Sequence, residues 1–105
     1  MNVTYENHVY FPARTLTNAS AALLTQDCLV DQLVFCNTTA SDATVTVTDG
    51  NTKSVANALV VPAHSTAQLN FAIGVFCKNG VKWLASANTT IDASVRLRTE
   101  SGGAA

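Results

Sequence analysis

The sequence predicts an all-β domain: an antiparallel β-sandwich or jelly roll of about seven to eight short strands, with an extended N-terminal arm. Three observations carry this. Stretches such as Ala43-Thr44-Val45-Thr46-Val47-Thr48 alternate apolar and polar residues, which sets one strand face on a core and the other on solvent. Turn formers (Asn37-Thr38-Thr39, Asp49-Gly50, Pro62-Ala63-His64-Ser65, Asn79-Gly80) punctuate the chain between short strand-like stretches, as in small sandwiches. No segment shows a convincing helical period.

Residues 1–14 read as the arm. Val3, Tyr5, Val9 and Phe11 alternate with Thr4, Glu6, His8 and Tyr10, Asn7 interrupts the apolar side, and Pro12 ends the pattern. The arm is either a first strand or a segment that orders against a partner. Its aromatics, Tyr5, Tyr10 and Phe11, are candidate contacts. The sandwich then occupies residues 15–99. Residues 15–25 are strand plus irregular structure, because Thr17, Asn18, Ser20 and Thr25 argue against a helix. Residues 28–37 are almost continuously apolar and read as a central strand, buried on both faces in its second half. Residues 43–48 form the next strand, with Val45 and Val47 inward, and Asp49-Gly50 turns it. A short strand over 58–61 stops at Pro62. Residues 66–71 alternate again, with Ala67, Leu69 and Phe71 on one face. Asn79-Gly80 lies between two apolar runs and accepts the positive φ angles of a type I′ turn, which predicts residues 75–77 and 81–85 as adjacent antiparallel strands. Trp83 then falls on an inner position. The last strand places Ile91, Ala93, Val95 and Leu97 inward and Asp92, Ser94, Arg96 and Arg98 outward. Residues 100–105 are a flexible tail.

The 105 residues suffice for one domain with its own core. Only 12% are charged, about half the usual share, so the polar surface is Thr, Ser and Asn. Such a surface suits packing against neighbours. A net charge of −1 argues against nucleic-acid binding. No apolar run is long enough to span a membrane. The N-terminus lacks the basic start and apolar run of a signal peptide, so folding in a cytosol is expected. Three cysteines, Cys28, Cys36 and Cys77, leave at least one unpaired, and buried free thiols are the expectation. On an unbroken strand Cys28 and Cys36 would share a face at opposite ends, out of bonding reach. A Cys36–Cys77 bridge stays open as the lesser alternative.

No constellation spells out a reaction. His8 and His64 belong to no metal-ligand pair spacing, so neither a metal nor another cofactor is expected. Asp27 and Asp31 flank a strand without the pairing that glycoside hydrolysis needs. No nucleophile elbow or phosphate loop occurs, and the chain reads as a non-enzyme. Four Asn-x-Ser/Thr sequons, at Asn2, Asn18, Asn37 and Asn88, reflect a composition rich in Asn and Thr. Arg96 and Arg98 are either edge gatekeepers or interface anchors.

Residues 33–98 resemble small tailed-phage virion proteins. The resemblance lies in a strand ending Asn37-Thr38-Thr39, a Thr/Val strand ending Asp49-Gly50, Val61-Pro62-Ala63 leading into Gln68-Leu69-Asn70-Phe71, then Gly74-Val75-Phe76 and a closing Ala93-Ser94-Val95-Arg96-Leu97-Arg98. It implies a capsid decoration (cement) protein: a homo-oligomer, trimeric or else dimeric, that docks on the major capsid protein at the virion surface. Tyr5, Tyr10, Phe11, Arg96 and Arg98 are the candidate contacts. Alternatives are a carbohydrate- or receptor-binding module on a fibre or spike, a small tail or neck accessory protein, and a free-standing cytosolic interaction domain.

Overall fold

The computed structural model describes residues 4–88 and 90–100. The first three residues of the expected arm, Thr89 and residues 101–105 of the expected tail lie outside the described residues. Eight strands follow one another: β1 (Asn7–Thr15), β2 (Ala21–Leu24), β3 (Cys28–Asn37), β4 (Ala43–Asp49), β5 (Ser54–Val61), β6 (Thr66–Cys77), β7 (Val81–Ala85) and β8 (Ile91–Thr99). They build two four-stranded sheets, ordered β1-β8-β3-β6 and β2-β7-β4-β5. All pairings are antiparallel, as expected for a sandwich.

The pairing follows one rule: β1 with β8, β2 with β7, β3 with β6 and β4 with β5. The chain is one long two-stranded ribbon, closed at the β4–β5 end and rolled until β3 also meets β8 and β4 meets β7. That connectivity is a jelly roll. Between the sheets lie Phe35, Leu33, Ile91 and Leu97, the largest fully buried side chains. Each contributes about 1.5–3 kcal/mol relative to exposure. Trp83 joins them at 3% exposed, on the inner side as its register predicts.

The arm's residues from Asn7 onward are an edge strand of the first sheet, with Val9 and Phe11 packed against the core. Pro12 does not end it. The ladder slips between Phe11 and Arg14, and a proline in such a bulge on an edge strand sacrifices no ladder hydrogen bond. The strand expected at 58–61 starts earlier, at Ser54. The register slips within β5, where Ala58 takes a φ of 52°. Its outer residues are exposed, which left the first half without an alternating pattern.

Two expectations need correcting. Residues 75–77 and 81–85 do not pair, because β6 belongs to the first sheet and β7 to the second. Asn79 and Gly80 do take positive φ angles, 60° and 104°, so the local preference was read correctly. The turn's flanking groups bond elsewhere: Asn79 N–H donates to Asp27 Oδ1 (2.8 Å) and Gly50 N–H to the Lys78 carbonyl (2.9 Å). The turn is a corner at which the ribbon passes from one sheet to the other, and β7 pairs with β2 and β4 instead. The second correction concerns β3, which is bulged at Asp31, between Val30 and Gln32. One extra residue flips the faces downstream. Cys28 therefore points inward and Cys36 outward, and Cys77 is the register partner of Cys28, not of Cys36. All three thiols are free. The second half of β3 is fully covered on its inner face only; Val34 and Cys36 are half-buried.

The corner yields an expected pH effect. The Asn79 N–H bond and the nearby Lys78 ammonium (3.5 Å) hold the Asp27 carboxyl below its ordinary 3.8. A depressed carboxyl stabilises the fold above its unfolded value and loses that contribution as pH falls through the folded value. Between pH 5 and pH 3 the melting temperature should therefore fall further in the natural protein than in Asp27→Asn. Parallel curves would remove Asp27 from the acid response.

Candidate functional site

The outward face of the first sheet is built in rows that cross the strands. Register places His8, Arg98, Leu29 and Phe76 in one row, and Tyr10, Arg96, Gln32 and Asn70 in the next. Alternation along β8 sends Arg96 and Arg98 outward between buried Val95, Leu97 and Thr99. Tyr10, on the β1 edge, is 58% exposed; on the opposite edge, β6, Phe76 is 49% and Ile73 86% exposed. The Arg96 guanidinium lies over the Tyr10 ring, 5.5 Å from its centre. This is a cation–π contact that stiffens both side chains at the surface. An amide ladder continues the row: Gln32 Nε2 and Gln68 Nε2 both donate to Asn70 Oδ1 (2.9 and 3.1 Å). A surface depression of about 270 Å³ runs along the β1–β8 seam, lined by His8, Val9, Tyr10, Arg96 and Leu97.

Ile73 is lifted out by the backbone. Gln32 pairs with Asn70 and Val30 with Val75, so residues 71–74 of β6 bulge opposite Asp31 alone. Gly74, at a φ of 83°, makes the return, and any Cβ there would sit 2.8 Å from Arg98 Nη2. Arg98 grips the base of the bulge with a two-pronged bond to Asp31 (Nε–Oδ2 2.9 Å, Nη2–Oδ1 2.7 Å) and a longer one to the Ile73 carbonyl (3.4 Å).

Of the five candidate contacts, the structure brings Tyr10 and Arg96 together on this face. Arg98 lies in the adjoining row but is engaged with Asp31. Tyr5 is half-buried and meets Phe76 edge-on, with ring centres 6.0 Å apart. Phe11 packs toward the core, with Arg14 across its ring at 5.5 Å. Phe76 and Ile73 went unrecognised in the sequence. Alternation from inward Val75 and Cys77 would have placed Phe76 outside; Gly74, a lone glycine inside an apolar run, is the sequence sign of the bulge that exposes Ile73. Among the described residues, no group of three or more His, Cys, Asp and Glu side chains could hold a metal ion. What the face offers is aromatic, guanidinium and amide surface.

No protein-family model matches the chain, and no curated protein does. Among solved structures, a chain in the structure of infectious bursal disease virus, Gx strain, is similar at 13% identity and a TM-score of 0.41. The match covers 98% of this chain and 29% of that one, so this chain spans less than a third of the viral chain's length.

Proposed function

We propose that this protein is a non-enzymatic virion component that docks on the assembled capsid and stabilises it as a decoration protein. The observation that carries the reading is the outward face of the first sheet, with exposed Tyr10 under Arg96 at one edge and exposed Phe76, with Ile73 in its bulge, at the other. Buried aromatics and arginines dominate the energetics of protein interfaces. The jelly-roll connectivity, shared with viral capsid and lectin domains, supports it as a fold-level analogy. The low charge and the motifs of residues 33–98 that resemble tailed-phage virion proteins point the same way. Docking as a trimer or dimer converts modest contacts into avidity on a repeating lattice. Binding the assembled shell alone shifts its equilibrium against opening.

Because Val9 and Phe11 belong to the core of an edge strand, deleting the arm would damage the fold, and point substitutions on the face are the cleaner test. The full chain should co-sediment saturably with the assembled shell of the virus that encodes it. The double variant Tyr10→Ser/Arg96→Ser should bind at least tenfold more weakly with an unchanged melting temperature. Unaltered binding by the variant, or absence of the chain from purified particles, would overturn the proposal. A second reading, carbohydrate binding on a fibre or spike, is favoured by the exposed Tyr10 in one row with the Gln32–Asn70 amides. Buried Trp83 supplies no sugar platform, so that reading predicts perturbation of the Tyr10 ring resonances by oligosaccharides.

A further inference from the structure

From the placement of Cys28 and Cys77 we infer a latent cross-strand disulfide: an oxidation site that locks β3 to β6 when the protein leaves a reducing compartment. Cys28 opens β3 and Cys77 closes β6, and the two are direct register partners. Both are fully buried on the inner face of the same sheet. Directly opposed residues of an antiparallel pair have Cα atoms about 4.5–5.5 Å apart, whichever hydrogen-bonding class they fall in. A disulfide needs about 4.4–6.8 Å. No strand has to shift for the bond to form. Cys36 is excluded, since it faces outward opposite Thr66 and Asp92.

A hydrogen bond between the thiols, followed by burial, pushes Cys28 up, whereas the same bond draws Cys77 below an ordinary thiol. Either thiol can attack once it is deprotonated. With a small-molecule disulfide R–S–S–R as oxidant, the thiolate of Cys77 or Cys28 attacks one sulfur and expels R–S⁻, which is protonated. The other cysteine then gives up its proton and displaces the second R–S⁻ from it. Two protein thiols are oxidised to one disulfide, and the reagent is reduced to two R–SH.

Access lies through the corner. Next to the pair in the chain, Asp27 and Asn79 form a polar cap at this end of the sheet, joined by the Asn79 N–H bond, with Asn79 Nδ2 donating to Asn51 Oδ1 (2.9 Å). Above it sits an open depression of about 470 Å³ lined by Gln26, Asp27, Asn79 and Glu100. Short-lived opening of this cap exposes Cys77 without unfolding the sheets.

The test uses the full chain carrying Cys36→Ser, which leaves these two thiols alone and removes the half-buried one. After incubation with oxidised glutathione, non-reducing digestion and mass spectrometry should recover a Cys28 peptide joined to a Cys77 peptide within a monomer. The melting temperature should rise by on the order of 10 °C and return on adding dithiothreitol. A Cys28→Ala variant in the same background should form no intramolecular bond, while trapping the mixed disulfide at Cys77. Two free thiols persisting at oxidised glutathione levels that oxidise unfolded chain, or only intermolecular bonds, would overturn the inference.

Discussion

Gly80→Ala is expected to lower the melting temperature by about 12 °C or more. At a φ of 104° the backbone is where an L side chain is strained, at a cost of about 1–3 kcal/mol. The new methyl would also collide with the Leu24 carbonyl and approach Thr25 Cα at 2.8 Å. Those atoms belong to the other half of the ribbon, which rounds the same corner between β2 and β3. Neither half can yield without shifting a strand, since Asn79 N–H is bonded to Asp27 and β7 is paired on both sides. The combined loss should exceed about 3 kcal/mol, against a total of about 5–15 kcal/mol for a domain. Urea unfolding of Gly80→Ala beside Gly80→Asn measures it: asparagine tolerates positive φ better but carries the same Cβ. If the two variants are equally damaged, the collision dominates; a stability for Gly80→Ala near that of the natural protein would refute the account of the corner.

Asn37→Leu, which keeps the number and branching of side-chain heavy atoms, is expected to cost about 3–5 kcal/mol. Asn37 is 1% exposed and ends β3. Its Nδ2 donates to the Ser41 and Val61 carbonyls (2.8 and 2.9 Å). Its Oδ1 accepts from Thr39 N–H and Thr39 Oγ1 (2.9 and 2.8 Å). One amide thus ties the β3–β4 loop to the end of β5. Leucine would leave buried backbone groups unpaired, and each costs about 1–3 kcal/mol. The drop should appear as a lower urea midpoint at constant m-value. A loss under about 1 kcal/mol would mean that water replaces the amide.

Asn37 also shows where sequence reading runs out. Asn37-Thr38-Thr39 reads as a loop signal, and that is correct for the chain direction. That its amide is buried depends on Val61, which is brought there by a pairing distant in sequence. The fold class, the inward residues of β4 and β8, and the buried Trp83 were legible because period-two alternation records which face meets the core. The bulge at Asp31 was not, since it shows only in the register of β3 against both β6 and β8, which are distant in sequence. Nor was the sheet change at Asn79-Gly80: positive φ is a local preference, but which strands then pair is decided by area buried elsewhere. The face was half legible. Arg96 follows from alternation, while its partner Tyr10 depends on β1 docking beside β8.

The ribbon pairing sets an order of assembly. The closed β4–β5 end needs only a short loop, whereas β6 on β3, β7 on β2 and β8 on β1 each enclose a longer one. Loop-closure entropy grows with each step, so folding should propagate like a zipper from β4–β5 and be slow, on the millisecond-to-second scale of non-local β proteins. The last strand to dock is then β1, which carries Tyr10. Amide exchange should accordingly be fastest along β1, and the face that carries Tyr10 and Arg96 would be the final part of the molecule to become complete.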